Sequence, residues 1–333
     1  MRLKIKKSGS YKFSKKYLDL IANSKVYDVA DKTPTTFAGN LSSKLKNDIY
    51  LKREDMQPIF SFKIRGAYNK IASLSPQQQK RGVLTASAGN HAQGVANACK
   101  RLKVPCFIVM PVTTPEIKVK SVKRFGSKVL LHGDNFDQAS KKALQMAKEQ
   151  KLEFIEAFDD PLTIAGQGTV GKEIFDDDQD LDVIFVPVGG GGLLAGVSAW
   201  AAQTQNKTKI YGVEVEDSAC LAEAIKADKR VRLREVGLFA DGVAVERIGK
   251  NNFDVIRECV DGVITVSIDE LCAAVKDIFE DTRVLSEPAG ALALAGLKKY
   301  AAKISNKRLL AISSGANVNF ERLSYIVERS EVG

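Results

Sequence analysis

One lysine is placed where its amine could do covalent chemistry. Lys63 lies between Phe62 and Ile64, in an apolar run that starts at Pro58. Burial among apolar neighbours disfavours an ammonium and lowers its pKa from about 10.4, which gives an amine able to form a Schiff base. Such a lysine can also carry its charge to solvent along its apolar stem. Lys63 is therefore a candidate nucleophile whose chemistry depends on the rest of the chain.

A run of four glycines, Gly189–Gly192, is a candidate anion cradle. It lies between an apolar strand-like run and the helix-like pattern that begins at Leu193. Glycine lets the backbone approach a ligand closely, and N–H groups at a helix start favour an anion. A tight turn would need only one or two glycines, so a bound phosphate is the expectation.

The same glycines permit another interpretation. Gly190-x-Gly192-x-x-Ala195 fits the dinucleotide-binding fingerprint, and Glu214 is an acidic residue roughly 20 positions further on. A nicotinamide-dependent dehydrogenase is therefore an alternative. It gives Lys63 no task, and by this motif alone the two interpretations are nearly equal.

Two more loops of polar character each come directly after a strand-like run. The loop Thr85–Gly94 brings small polar residues to a helix entrance, where N–H groups and hydroxyls could hold a carboxylate. The Asn90 amide could bond a phenolic oxygen, although a helix cap without a ligand is as reasonable. A serine in the run Ser313–Asn317 could meet a heterocyclic nitrogen or could simply form a turn.

Composition excludes several classes of protein. The chain has 333 residues, 44% of them hydrophobic and 27% charged, which is ordinary for a globular protein of about two domains. The net charge is +10, but seven basic residues lie among the first sixteen. A short basic arm is more often a solvated end than a nucleic-acid grip, so nucleic-acid binding is only a remote alternative. No apolar run approaches a membrane span or the core of a secretory signal.

Cysteine and histidine usage points the same way. The five cysteines are odd in number and form no C-x-x-C pair, which predicts reduced thiols and a cytoplasmic protein. With only two histidines, a structural zinc site and an H-E-x-x-H helix are both absent from the sequence.

The elements that must position these loops alternate between strand and helix. Such alternation predicts an α/β fold with mostly parallel sheets flanked by helices. The predicted strands are Gly82–Thr85, Cys106–Met110, Lys128–His132, Val183–Val188 and Ile210–Val215. The predicted helices are Ala92–Leu102, Phe136–Glu149, Leu193–Thr204, Ile268–Arg283 and Ala289–Tyr300. A turn-rich stretch near Phe158–Pro161 is the plausible internal boundary, and a cleft between domains is the expected ligand site.

Together the loops supply an amine, a phosphate cradle, a carboxylate pocket and partners for a ring oxygen and a ring nitrogen. These are the needs of pyridoxal phosphate bound to an amino acid. The chain resembles the threonine dehydratases (threonine deaminases) of pyridoxal-phosphate fold type II, from about Tyr17 to its end, and is most similar to their biosynthetic branch. The motifs that carry the resemblance are Lys52–Pro58, Ser61–Tyr68, the loop at Ser87, the tetraglycine, Phe239–Val245, Glu287–Ala291 and Ser314–Asn317.

The resemblance implies a role for each matching residue. Lys63 would hold the cofactor as a Schiff base and then act as the base that removes the α-proton of the substrate. The cofactor phosphate would be bound by the backbone N–H groups of Gly189, Gly190, Gly191, Gly192 and Leu193. Around the ring, Phe62 would pack, Asn90 would bond the ring oxygen and Ser314 would face the ring nitrogen. The substrate carboxylate would be framed, mostly by backbone donors, by Ser87, Ala88, Gly89 and His91.

Two of these residues bear on the reaction. A neutral Ser314 does not enforce protonation of the ring, which favours prompt loss of the β-hydroxyl over transamination. Related serine racemases carry a serine at the position of Ala88, and alanine has no proton to give to the opposite face of the α-carbon. The expected reaction is therefore dehydration of L-threonine to 2-oxobutanoate and ammonia, the first step towards isoleucine, with L-serine as a slower substrate. The alternatives are a serine-preferring dehydratase and a serine racemase.

The resemblance also carries expectations about organisation. It implies a large cofactor-binding domain of residues 1–56 and 161–333, a smaller mobile domain of residues 57–160, the cofactor in the cleft between them, and a homodimer or homotetramer. Related enzymes bind a cation where this chain has Glu214, Glu216 and Asp217, but the rest of that pattern is unclear, so the cation is left unassigned. The biosynthetic enzymes continue into a regulatory region that binds isoleucine, and this sequence is expected to lack that region and its feedback inhibition.

Overall fold

The computed structural model describes residues 1–7, 10–177, 180–204 and 207–332. In these residues the strands form two sheets, of seven and four strands. The larger sheet has the order β1-β10-β9-β8-β11-β3-β2, where β1 is Arg2–Lys4, β2 Thr35–Phe37, β3 Asp48–Arg53, β8 Val183–Pro187, β9 Lys209–Val215, β10 Gly262–Val266 and β11 Arg308–Ser313. The smaller sheet has the order β6-β5-β4-β7, where β4 is Val83–Ala86, β5 Cys106–Met110, β6 Lys128–Leu131 and β7 Glu153–Phe154.

Both sheets are parallel apart from two edge strands. The smaller sheet is parallel throughout, and in the larger one only β1 on β10 and β2 on β3 run antiparallel. The predicted α/β class is therefore confirmed. The strands of the larger sheet all lie within residues 1–56 and 161–333, and those of the smaller sheet within residues 57–160. The division into two folding units, one of them mobile, stays a prediction.

Helices cover the sheets on both faces. In the described residues they are α1 Lys12–Ala22, α2 Gly39–Leu45, α3 Lys63–Ala72, α4 Pro76–Arg81, α5 Asn90–Leu102, α6 Glu116–Lys123, α7 Phe136–Gln150, α8 Pro161–Asp176, α9 Gly192–Thr204, α10 Cys220–Lys226, α11 Lys250–Cys259, α12 Ile268–Thr282, α13 Pro288–Ala301 and α14 Leu323–Ser330. The predicted strands and helices all exist, with ends that differ by one or two residues. Among the described residues no helix is long and apolar enough to span a membrane.

Successive side chains of the central strand β8 point to opposite faces of the larger sheet and pack into two cores. In β8, Ile184 and Val186 pack into the core formed with α1, α8, α9 and α11, whereas Val183 and Phe185 pack into the opposite core with α12 and α13. All five residues of β8 are buried. A strand with both faces covered reads as a continuous apolar run, which is why this segment could be predicted from its sequence.

Glycines let α3 pack closely against α5 and α8. This packing sets the position of Lys63, the first residue of α3. A Cβ on Gly166 of α8 would lie 2.6 Å from the Cα of Gly66 in α3. A Cβ on Gly94 of α5 would lie 2.9 Å from the carbonyl oxygen of Lys63. Both distances are too short for a real side chain, so helices α5 and α8 hold α3 at backbone contact distance.

Candidate active site

Among the residues that the structure describes, Lys63 has no carboxylate partner. Its Nζ donates to the carbonyl oxygen of Ala157 at 2.9 Å and lies 5.4 Å from the centroid of the Phe62 ring. Burial lowers the pKa of Lys63 to about 8. The residue as a whole is half-buried, and its ammonium is desolvated. This is the state expected of a nucleophilic amine.

The glycine loop follows β8 and runs into α9, as predicted. Its N–H groups, from Gly189 to Leu193, donate to no acceptor within residues 1–7, 10–177, 180–204 and 207–332. Gly191 has φ 92°, a left-handed conformation that favours glycine. A Cβ on Gly190 would lie 2.2 Å from the ring of Phe158. Ala157 and Phe158 are consecutive, so one short segment contacts both the Lys63 amine and the glycine loop.

That segment is tied to the glycine loop by a polar residue of α11. Asn252 Nδ2 donates to the carbonyl oxygens of Phe158 at 3.0 Å and Gly190 at 2.7 Å. Asp159 caps the same helix by accepting from the backbone N–H groups of Lys250 at 2.7 Å and Asn251 at 2.8 Å. The chain between the two sheets is therefore anchored beside the glycine loop.

Asn90 starts α5 at the carboxyl end of β4 and lies within a polar chain. Its Nδ2 donates to Glu287 Oε1 at 2.6 Å, and its Oδ1 accepts from Asn317 Nδ2 at 2.7 Å. Asn317 Nδ2 also donates to the carbonyl oxygen of Ile59 at 2.9 Å. Burial is the main cause that raises the pKa of Glu287 to about 7. The loop after β4 and the loop after β11 thus meet at Asn90.

The predicted carboxylate pocket lies at the entrance of α5. Ser87 Oγ accepts from the N–H of Gly89 at 3.2 Å, and space is open around Gly89 where a Cβ would point. Ala88 packs at the edge of the smaller sheet's core. The structure places these three residues directly before Asn90.

His91 cannot serve this pocket as a cation. Its Nε2 bonds the carbonyl oxygen of Ile155 at 3.1 Å, which makes Nε2 the protonated nitrogen and leaves Nδ1 an acceptor. Burial, with the charge of Lys63, lowers the pKa of His91 to about 3. The ring is neutral at ordinary pH, and any donor that His91 offers to a carboxylate is its backbone N–H.

Ser314 lies at the carboxyl end of β11, beside the start of α3. Its Oγ donates to the carbonyl oxygen of Ala289 at 3.2 Å, and its carbonyl oxygen accepts from the N–H of Phe62 at 3.2 Å. A hydroxyl hydrogen rotates about its C–O bond, so Ser314 can turn from this carbonyl to donate to a ring nitrogen that carries no proton. The backbone bond joins Ser314 to Phe62, and the role of Ser314 towards the cofactor stays a prediction.

A buried ionic cluster supports α3 from behind. We call Lys52, Glu54, Arg65 and Glu173 the ionic cluster. Arg65 pairs with Glu54 at 2.8 Å and Glu173 at 2.6 Å, and Lys52 pairs with Glu173 at 2.8 Å. Burial opposes the charge of Arg65, but the two carboxylates outweigh burial and raise its pKa. The charges of the two cations and the two carboxylates balance. The ion pairs of Arg65 hold α3 in place two residues after Lys63.

Glu214 has a structural task. Its Oε1 and Oε2 accept from the backbone N–H groups of Leu221 at 2.7 Å and Ala222 at 2.8 Å, and burial raises its pKa to about 8. Glu214 is also completely buried, so its carboxylate is turned to the start of α10 and away from any bound ribose. In the described part of the chain no three His, Cys, Asp or Glu residues form a cluster that could hold a metal ion. The cation stays unassigned.

The site residues fit pyridoxal phosphate by their chemistry. The glycine loop offers five N–H donors without protein acceptors in the described ranges, and anions bind at such helix starts. Lys63 offers an amine of lowered pKa, and Ser314 and Asn90 offer polar groups of the kind that a pyridine ring with a phenolic oxygen needs.

The comparisons with known proteins agree with this chemistry. The model of the family "pyridoxal-phosphate dependent enzyme" matches residues 26–315, and the chain belongs to that family. Its cofactor is therefore pyridoxal phosphate and its fold is type II of these enzymes. The nicotinamide interpretation of the glycines is wrong, because their family binds a different cofactor.

The similar proteins include threonine dehydratases and serine racemases. The chain is 52% identical over 319 residues to the biosynthetic L-threonine dehydratase of Pasteurella multocida, which covers 95% of this chain and 62% of that relative. The structure matches the processed form of threonine deaminase isoform 2 from Solanum lycopersicum with a TM-score of 0.96 at 44% identity, over 99% of this chain and 97% of that one. It matches maize serine racemase with a TM-score of 0.85 at 29% identity, over 98% of each chain. The resemblance to threonine dehydratases is confirmed, and the chain spans about 62% of the length of such a curated relative.

Sequence reasoning missed several residues around the site. Glu287 and Asn317 were noted only as parts of motifs, and Phe158 only as part of a turn. One signal was present for Glu287, a carboxylate directly before a proline in an apolar stretch, which is typical of a helix start. Nothing in the sequence pairs Glu287 or Asn317 with Asn90.

Proposed function

We propose that this chain catalyses the dehydration of L-threonine to 2-oxobutanoate and ammonia and accepts L-serine as a slower substrate. The observation that carries the proposal is the Lys63 amine, desolvated and hydrogen-bonded to the carbonyl of Ala157, beside a glycine loop with unpaired N–H groups in the described ranges. The names of the relatives support it, since proteins at about half identity over 95% of this chain are threonine dehydratases.

In this proposal the cofactor supplies an electron sink for the bond that breaks at the α-carbon. Lys63 would hold the cofactor through its Nζ, and the substrate amine would displace this Nζ, which leaves a free amine able to take the α-proton of the substrate. Its lowered pKa suits this second task, because a base works best when its pKa is near the operating pH. The carbonyl of Ala157 keeps the Nζ directed and stabilises it when it is protonated.

The other proposed roles belong to binding. The N–H groups of the glycine loop hold the phosphate, Phe62 packs against the ring and Ser314 faces the ring nitrogen as an uncharged partner. Ser87, Ala88 and Gly89, with the backbone of His91, hold the substrate carboxylate. An uncharged Ser314 would not enforce ring protonation, which would favour loss of the β-hydroxyl as water over transamination. The released enamine would then hydrolyse to the 2-oxo acid and ammonia.

Serine racemase is a second candidate because of the structural match to the maize enzyme. Ala88 argues against it, since a methyl group cannot reprotonate the second face of the α-carbon. The homodimeric or homotetrameric state stays a prediction that light scattering can check, and the cytoplasmic location also stays a prediction.

The test of this function is a parallel measurement of kcat/KM on L-threonine and L-serine, with the 2-oxo acid and ammonia quantified and the residual substrate resolved by chiral chromatography. Equal amounts of both products and a preference for threonine support the proposal. Pockets discriminate one methyl group by only about 1–3 kcal/mol, so a threonine preference of roughly 10- to 200-fold is the expected range. Racemised substrate without a 2-oxo acid would contradict the proposal.

A further inference from the structure

The direction of the Asn90 amide follows from a backbone carbonyl. The carbonyl oxygen of Ile59 can only accept, so the Asn317 nitrogen must face it, at 2.9 Å. The same nitrogen donates its second hydrogen at 2.7 Å to Asn90, which must therefore present its Oδ1. A flipped Asn90 would put one NH2 group against another.

The far side of Asn90 is fixed in turn. With Oδ1 towards Asn317, Nδ2 faces Glu287 and donates one hydrogen to Oε1 at 2.6 Å. The second hydrogen of Asn90 Nδ2 has no protein acceptor within the described ranges of the chain. Asn90 therefore has one N–H left and no free choice of orientation.

Glu287 is held by its own contacts. Its backbone N–H donates to the carbonyl oxygen of Gly315 at 3.2 Å, and a Cβ on Gly315 would lie 2.3 Å from Glu287 Oε1. The side chain is 5% exposed. The charged groups around it are Asp241 and Lys118, which form an ion pair with each other. Burial raises the pKa of Glu287 to about 7, and an acceptor oxygen is present in both protonation states.

We propose that Asn317 and Glu287 are positioning residues that force Asn90 to act as a hydrogen-bond donor towards the ring oxygen of the cofactor. This inference rests on the proposed role of Asn90 in the active site. A donor at this place favours the deprotonated ring oxygen, whereas an acceptor would favour the protonated one. Asn317 and Glu287 would thereby set the protonation state of the bound cofactor through Asn90.

The decisive variant is Asn317→Asp. An aspartate carboxylate can only accept, so it should turn the Asn90 amide round and present Oδ1 to the ring oxygen. Glu287, whose pKa is raised to about 7, then takes up a proton and donates to the same Oδ1. We expect the visible band of the bound cofactor, which lies in the violet when the ring oxygen is deprotonated, to move to the near-ultraviolet. Asn319→Asp is the matched control, because Asn319 caps a turn with its side-chain oxygen and lies outside the chain of contacts. That control should keep the violet band.

An Asn317→Asp protein with the wild-type spectrum would overturn the inference. If this variant does not fold, as judged by circular dichroism, the pair Glu287→Gln and Glu287→Leu decides. Gln keeps an acceptor for Asn90 and should bind the cofactor as the wild type does. Leu leaves a buried N–H unpaired and should raise the Kd of the cofactor by about tenfold or more. Equal Kd values and equal spectra for the pair would overturn the inference.

These readouts need no substrate. A wild type that is violet-absorbing but inactive on threonine would contradict the proposed function and leave the spectral comparison intact. An active wild type whose spectrum is unchanged by Asn317→Asp would contradict only the inference.

Discussion

Lys63 and Arg65 are two cationic residues at the start of α3, and their surroundings shift their pKa values in opposite directions. Arg65 is completely buried and pairs with two carboxylates of the ionic cluster, which raise its pKa. Lys63 has the backbone carbonyl of Ala157 as its partner, and burial lowers its pKa. Desolvation acts on both, so the difference lies in the carboxylates. A buried cation with carboxylates stabilises structure, and one without them is available for chemistry.

The largest effect is expected at Lys63. Lys63→Ala removes the amine that holds the cofactor and the base that takes the α-proton, and loss of a positioned base alone costs about 10²- to 10⁴-fold in rate. We expect turnover of threonine to disappear in a kinetic assay. Lys70→Ala is the matched control, because Lys70 lies on the same helix but pairs with Asp160 at 2.9 Å. Equal activity of the two variants would break the comparison.

The next effect is expected at Arg65 and should concern stability. Arg65→Leu leaves Glu54 and Glu173 buried with Lys52 as their one remaining cation in the ionic cluster, and breaking a buried ion pair costs about 3–5 kcal/mol. Urea unfolding followed by circular dichroism measures this loss. Arg65→Lys keeps the charge but not the forked geometry and should lose less. A loss below about 1 kcal/mol for Arg65→Leu would mean that the ionic cluster does not hold α3.

The pH dependence of cofactor binding tests whether the pKa of Lys63 is lowered, in contrast to that of Arg65. Only the neutral amine attacks the cofactor aldehyde, and its pKa of about 8 lies below the value of about 10.4 for an unperturbed lysine. The rate of reconstitution of the apoprotein should rise about tenfold per pH unit and level off above about pH 8.

The stability of the apoprotein should follow the same shift. Because the unfolded chain binds this proton more tightly, the contribution of Lys63 is unfavourable below about pH 8 and is relieved as the pH rises towards about 10.4. In the reconstitution experiment, the reaction of the cofactor with free Nα-acetyl-lysine in the same buffers controls for titration of the cofactor itself. A reconstitution rate still rising at about pH 10 would contradict the lowered pKa.

A smaller change is expected from Ala88→Ser. A hydroxyl on the second face of the α-carbon gives the substrate an acid that the wild type lacks, although its placement is not optimised. We expect the ratio of racemisation to elimination to rise about tenfold or more, below the full contribution of a positioned acid. Chiral chromatography of the residual substrate measures the ratio. An unchanged ratio would count against the role given to Ala88.

The smallest effect is expected at the surface. Lys118 and Asp241 pair between α6 and the turn 241–243, but both side chains remain partly exposed. Exposed pairs contribute about 0–1 kcal/mol, so Lys118→Ala should shift urea unfolding by no more than that. A loss of several kcal/mol would mean that this exposed pair stabilises the protein as strongly as the ionic cluster does.

The amino-acid sequence was informative where the signal is local. The glycine loop, the loop at Ser87 and the buried strand β8 were predictable because close backbone approach, a helix entrance and an apolar run all depend on neighbouring residues. Lys63 could be singled out for its apolar flanks, although those flanks alone did not distinguish a nucleophile from a solvated lysine.

Long-range pairing was not predictable. Asn90 and Asn317 are 227 positions apart, and Arg65 and Glu173 are 108 positions apart. Asn90 follows β4 of the smaller sheet and Asn317 follows β11 of the larger one, whereas Arg65 and Glu173 lie on the neighbouring helices α3 and α8. Each pair meets only through the packing of elements far apart in the chain, which requires the topology first. No local pattern distinguishes donor from acceptor for Asn90, since an amide can be either until its neighbours are known.

The claim that Lys63 is the covalent anchor is tested most directly by trapping. The purified holoprotein is reduced with borohydride and digested, and the mass of each lysine-containing peptide is measured by mass spectrometry. We predict one stoichiometric pyridoxyl adduct, on Lys63, together with loss of the violet absorption. An adduct on another lysine would contradict this claim. An unmodified Lys63 after reduction of a protein that had absorbed in the violet would also contradict it.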